Sequence, residues 1–277
     1  MSTTETTGTN KGGKTTAATA IMREKVLLVG DSSTSKTVSL LGLALLYPDN
    51  KVVILDPDDG TSKAIGEMGL EPKDLPNLTI IPVRADWDKM MESYREQKET
   101  LTPNDWLCFD MLGRFWDMAQ TYYSRRVFGE DPVEHILRLR EQAKKVSFGG
   151  FDGLQDWSLI KRLHNELLLD DAVVNSEFNV MATTSVGQYL PIEKLPKKGV
   201  MGILASEFKV KPEGEKHNIF RFDTVAVLYQ EPIGTYGFSL VKDKGRAVDV
   251  SRVFDITGRS FWECYREYRN QQGTNIL

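Results

Sequence analysis

With 277 residues, 40% of them hydrophobic, the chain can bury the core of one generous domain, and no apolar run reaches the roughly 20 residues that span a bilayer. A formal net charge of −4 excludes a global positive field for nucleic acid, so any DNA contact has to be local. Cys108 and Cys264 make no disulfide framework and fit a reducing compartment, and His135, His164 and His217 are scattered without metal-ligand spacing.

Residues 1–24 are rich in Thr, Gly and small residues, lack an apolar signal core and read as a flexible tail. They nevertheless contain Gly8-Thr9-Asn10-Lys11-Gly12-Gly13-Lys14-Thr15, a full match to the phosphate-loop pattern G-x-x-x-x-G-K-S/T. A second stretch, Gly30-Asp31-Ser32-Ser33-Thr34-Ser35-Lys36-Thr37, breaks the pattern once, with Ser35 where the second glycine belongs. Context selects the second. A phosphate loop needs a buried strand to deliver the chain to a tight turn, backbone N–H groups aimed at the phosphates, and the positive end of a helix. Val26-Leu27-Leu28-Val29 supplies the strand and Val38 opens an apolar helix to Leu46, whereas no strand precedes residue 8.

Further strands follow over 51–56, 78–83 and 106–110, with helices over 87–98 and 113–126. Such alternation predicts parallel strands with right-handed crossovers and a ligand at their carboxyl ends. Residues 127–154 loosen into a charged helix over 133–145 and a glycine-rich turn over 148–153, which marks an insertion. A helix over 157–169 precedes a buried strand over 179–185. From residue 199 the pattern favours antiparallel strands over 202–211, 219–229 and 236–243, with a turn near Pro232-Ile233-Gly234, and a short helix over 261–269 closes the chain. The expected plan is a tail (1–24), a core (25–256) carrying the insertion, and a C-terminal helix and tail (257–277).

In the selected loop, residues Gly30 to Val38 would cradle the phosphates of a nucleotide such as ATP, Lys36 would neutralise β- and γ-phosphate charge, and the Thr37 hydroxyl would ligate Mg2+. Asp110 ends an apolar strand, the place for a carboxylate that meets the metal through its water shell. Asp56-Pro57-Asp58-Asp59-Gly60 clusters carboxylates at another strand end, where one can orient an attacking water; Asp56 alternatively caps a turn.

On the phosphate loop and this Asp-x-Asp element the chain resembles the RecA-like ATPases, including the small RecA-related recombination ATPases of bacteriophages. The resemblance covers roughly residues 25–246. It implies an α/β, RecA-like P-loop NTPase fold with a mainly parallel central sheet extended by antiparallel C-terminal strands. It places Asp58 at the family's catalytic glutamate, one methylene shorter, with Asp59 as the alternative. Leu240-Val241-Lys242-Asp243-Lys244 is similar to the family's Val-Lys-Asn-Lys element, which implies that Lys242 and Lys244 reach the γ-phosphate of a neighbouring subunit; they read equally as solvent-facing alternates of an edge strand. A γ-phosphate sensor is implied among Thr184, Ser185 and Gln188, with Gln188 favoured, and a DNA-contacting loop over 186–200 with Lys194, Lys197 and Lys198. ATP hydrolysis with Mg2+, assembly into a ring or filament, single-stranded DNA as partner and a cytoplasmic location, the host's if the protein is viral, follow from the same likeness. Three other readings stay open: a nucleoside or nucleotide kinase with an arginine lid from Arg125, Arg126, Arg138 and Arg140; a packaging motor, which would normally carry a nuclease domain for which this chain has little room; and a non-hydrolysing structural protein, which would explain Ser35 and Asp58 together.

Overall fold

The computed structural model describes residues 23–84, 86–142, 155–232 and 234–271. The 8–15 motif, the expected flexible tail up to residue 22, the end of the 133–145 helix, the glycine-rich turn and Ile233 lie outside the described residues. The chain runs β1 (Lys25–Gly30), α1 (Lys36–Leu46), β2 (Val52–Asp56), α2 (Gly60–Glu67), β3 (Leu78–Pro82), α3 (Trp87–Thr100), β4 (Trp106–Phe109), α4 (Leu112–Phe128) and α5 (Pro132–Gln142). Next come α6 (Asp156–His164), a π-helical stretch over Asn165–Val174, β5 (Asn179–Thr184), β6 (Val186–Gln188), α7 (Gly199–Ile203) and β7 (Val210–Pro212). The last elements are α8 (Asn218–Arg221), β8 (Thr224–Glu231), β9 (Thr235–Asp243), β10 (Phe254–Asp255) and α9 (Phe261–Gln271).

Eight strands form one sheet in the order β10-β9-β8-β1-β5-β4-β2-β3. β1 lies parallel between β5 and β8, and β4, β2 and β3 continue the parallel run. β9 and β10 extend the other edge antiparallel. This is an α/β arrangement with a mainly parallel central sheet extended by antiparallel C-terminal strands, as expected. Alternate residues of the central strands face opposite sides, and both sides are dry. Leu27, Val53, Leu107 and Val180 pack beneath α3, α4 and the π-helical stretch. Val26, Ile54, Cys108 and Met181 pack beneath α1 and α9. α9 drives Phe261, Trp262 and Tyr265 fully into that second face, and a buried side chain of this class contributes about 1.5–3 kcal/mol. Arg269 of α9 also reaches Glu24 at 3.4 Å and Asp243 at 3.5 Å, tying the helix to the end of the sheet where β1 begins.

The C-terminal third departs from expectation. Residues 202–208, expected as strand, are helical: α7 passes into a π-helical turn over Leu204–Phe208, and only Val210–Pro212 is extended. A short apolar run does not distinguish a buried helix from a buried strand by periodicity. Gly202 lets the helix close on the preceding chain, since a Cβ there would stand 2.9 Å from the Lys197 carbonyl carbon. Residues 219–221, the start of the expected 219–229 strand, lie in helix α8, and β8, expected among antiparallel strands, runs parallel to β1 on one side and antiparallel to β9 on the other. His164 is fully buried beside Asn218, with its pKa held down to about 4 by burial against the opposing Asn218 hydrogen bond. Among the described residues no helix is long and apolar enough to cross a membrane.

Candidate functional site

β1 delivers the chain to Gly30, where backbone must pass close to two neighbours. A Cβ at Gly30 would stand 2.4 Å from Thr34 Oγ1 and 2.9 Å from the Leu228 carbonyl oxygen, so any side chain would push the loop off the strand end. The loop then turns through Ser33 and Ser35, both left-handed, with φ of 61° and 65°. Ser35 thus holds the backbone conformation that glycine adopts freely, at a cost of roughly 1–2 kcal/mol. Local bonds offset that strain: the Thr34 hydroxyl donates to Asp31 O at 2.8 Å, and the Ser39 hydroxyl donates to Ser35 O at 2.8 Å. Ser35→Gly should therefore raise folding stability by about 1 kcal/mol in a denaturant titration and leave nucleotide affinity unchanged or tighter. Weaker affinity with unaltered stability would show that the hydroxyl, and not the turn, is what the loop needs.

α1 starts at Lys36 with no side-chain cap and no acidic residue in its first turn. Its leading N–H groups and the positive end of its dipole consequently open toward the loop. Lys36 is nearly buried, and its Nζ donates to Gly30 O at 2.9 Å and Asp31 O at 2.5 Å. Burial pushes its pKa down, while Asp110, Asp31 and Glu213 pull it back up. In front of the loop lies a cavity of about 340 Å³ walled by Ser32 to Val38 and by Gly60, Lys63, Met111 and Ser185.

The oxygens for a metal meet beside it. Thr37 Oγ1 donates to Asp110 Oδ2 at 2.9 Å, although the two residues are 73 apart in sequence. Thr183 Oγ1 donates to the other carboxylate oxygen at 2.7 Å and accepts from Met111 N at 2.8 Å, which fixes the turn after β4. Burial raises the Asp110 pKa, and the Thr183 and Thr37 hydrogen bonds work against that rise. An all-oxygen set around a deeply buried carboxylate fits Mg2+, a hard cation that would compensate the desolvated charge.

The carboxylates after β2 divide their work. Asp56, fully buried, accepts from the N–H groups of Asp58 at 3.0 Å, Gly60 at 3.3 Å and Thr61 at 2.8 Å, so it caps α2. Asp59 precedes α2 in a left-handed conformation, φ 56°, and adds no side-chain cap. Asp58 projects from the same turn and pairs with Arg114 Nε at 3.0 Å. Of the three sensor candidates, Ser185 borders the loop cavity. Thr184 donates to Glu213 O at 3.0 Å, and Gln188, the favoured one, lies on β6 opposite Val210 and lines a separate cavity of about 580 Å³ with Leu190 and Phe208.

Lys242 and Lys244 do not meet the loop of their own chain. Lys242 pairs in register with Val225, whereas Gly30 pairs with Leu228, so the two lie toward opposite ends of the sheet, about 10 Å apart along the strands at ~3.3 Å per residue. Lys242 donates to the carbonyl oxygens of Ile219 and Phe220 at 3.2 and 3.3 Å and to that of Phe222, while Lys244 pairs with Asp223 at 2.9 Å. Sequence reasoning missed Thr183, Arg114 and Glu213. Thr183 had a visible signal, a hydroxyl at the carboxyl end of an apolar strand; the other two carry none without the tertiary fold.

Strand, strained loop and uncapped helix together define an α/β protein whose β1–α1 turn opens on a cavity at the carboxyl end of the sheet. No family model matches the chain, and no curated protein does. Among solved structures it is similar to one described as "Crystal structure of the RadB recombinase", at 17% identity over 85% of this chain and 89% of that chain, with a TM-score of 0.42. A likeness that distant carries no functional weight, so the chemistry rests on the site itself.

Proposed function

We propose that the chain is a RecA-like ATPase that binds ATP with Mg2+ at the Gly30 to Thr37 loop and works on single-stranded DNA as a ring or filament, in phage-type recombination or replication. The observation that carries this reading is the Thr37–Asp110 oxygen pair at 2.9 Å beside an uncapped helix N-terminus and a lysine folded into the loop. In this reading the backbone N–H groups of the loop and Lys36 hold the phosphates, and Thr37 and Asp110 are the residues that would hold the metal. A divalent cation bound there would supply charge neutralisation of the phosphates. Asp58 orients the attacking water, whose oxygen bonds to the γ-phosphorus as the bond to the β,γ-bridging oxygen breaks; the proton leaves by way of Asp58 to solvent, giving ADP and inorganic phosphate. Lys242 and Lys244, remote from their own loop, serve the loop of a neighbouring subunit.

One assay tests this: ATP turnover with and without single-stranded DNA, with mass measured in the presence of a slowly hydrolysed analogue. We expect DNA to stimulate turnover and the analogue to promote assembly. Mixing Lys36→Ala subunits with Lys242→Ala/Lys244→Ala subunits should restore activity that neither has alone. A strict monomer at full turnover, or mixtures with no gain, refutes the shared site; phosphate transfer to a nucleoside in place of water identifies a kinase.

A further inference from the structure

We infer that Arg114 is a positioning residue that holds the Asp58 carboxylate in the orientation needed for the hydrolytic water, from within the same chain. This rests on the ATPase reading above. Arg114 is set by the same turn that carries Asp110: Met111 takes φ 70°, its N–H is held by Thr183, and Arg114 N donates to Met111 O at 2.8 Å. Across the gap, the Asp58 backbone is held by Asp56 through the 3.0 Å bond to its N–H, which leaves the direction of the Asp58 carboxylate to its own partner. That partner is Arg114, whose Nε donates to Asp58 Oδ2 at 3.0 Å across 56 residues of sequence.

Stability does not account for the pair. Arg114 and Asp58 side chains are 57% and 41% exposed, and ion pairs that open to water contribute about 0–1 kcal/mol. Its geometry is more telling. The pair joins the end of β2 to the start of α4, the two carboxyl-end turns that bear the candidate water-orienting and metal-holding carboxylates. Arg114 also lines a polar groove of about 490 Å³ with Asp117, Glu213, Met111 and Ser185, and the last two also wall the loop cavity. Burial raises the Asp117 pKa; Arg114 works against that rise, and Glu213 and Asp58 add to it. Without the guanidinium, Asp58 and Asp117 would lose the cation they share, and their repulsion, with that of Glu213, would swing the Asp58 carboxylate outward.

The test compares kcat, KM and Mg·ATP affinity for the wild type, Arg114→Ala, Arg114→Lys, Asp58→Asn and Arg114→Ala/Asp58→Asn. We expect Arg114→Ala to lower kcat by up to about a hundredfold, the scale of a misplaced reacting group, with affinity nearly unchanged. Arg114→Lys and added guanidinium ion should each restore part of the rate. In the Asp58→Asn background the Arg114→Ala change should cost nothing further, because the group it positions is already disabled. Wild-type kcat in Arg114→Ala, or an additive loss in the double variant, overturns the inference while leaving the ATPase reading intact. A wild-type chain that neither binds nor turns over ATP overturns both. Unchanged melting temperatures across the set separate positioning from unfolding.

Discussion

Lys36→Ala abolishes nucleotide binding, whereas removal of residues 1–22 leaves it intact: this is the largest expected effect. The Lys36 ammonium sits nearly buried between the end of β1 and the N-terminus of α1. Truncating one member of a desolvated charge pair costs about 2–5 kcal/mol, which is about thirtyfold or more in affinity. The variant also strips the donor from the Gly30 and Asp31 carbonyl oxygens, so loop and ligand lose together. Truncation must stop before Arg23, because Glu24 is part of the sheet's base, with its N–H donating to Asn179 Oδ1 at 3.0 Å and its carboxylate meeting Arg269. Calorimetric titration with Mg·ATP decides the matter. If truncation removes binding and Lys36→Ala keeps it, the letter-perfect motif at residues 8–15 is the true loop.

Asp110→Asn and Asp58→Asn should fail in different ways. Asp110 is 2% exposed and accepts from both Thr37 and Thr183, so its amide replacement removes the buried anion that would compensate a divalent cation. Mg-dependent affinity should fall about tenfold or more, while affinity measured with a chelator changes little. The Asp58 side chain pairs with Arg114 and, among the described residues, is not in the lining of the loop cavity, so Asp58→Asn should keep Mg·ATP affinity and slow hydrolysis by about a hundredfold or more. Acidification adds a second handle. The Asp110 pKa is raised, so its carboxyl keeps a proton above the ordinary range near 3.8; the metal-holding anion returns as pH rises, and Mg-dependent affinity should rise with it. Asp110→Asn should flatten that part of the profile. Equal loss of binding in both variants would contradict the division of roles.

What the sequence alone determined was local. Val26-Leu27-Leu28-Val29, a turn of small polar residues and an apolar helix are adjacent in the chain, so burial pattern and turn chemistry place the loop without tertiary information. The strand ending at Asp56 and the one leading into Asp110 were equally legible, since an apolar run followed by a carboxylate is visible in one window. Only the tertiary structure decided what meets what. β1 takes β5 and β8 as neighbours, strands more than 150 residues away, and that register brings Thr183 onto Asp110, Ser185 and not Gln188 to the cavity wall, and Lys242 to the far end of the sheet. The same holds for residues 199–208, whose apolar run suits a buried helix and a buried strand alike until packing on residue 197 selects the helix. Short-range order follows from side-chain pattern and backbone sterics, whereas a contact across many tens of residues depends on strand order and register, which no single window of sequence contains.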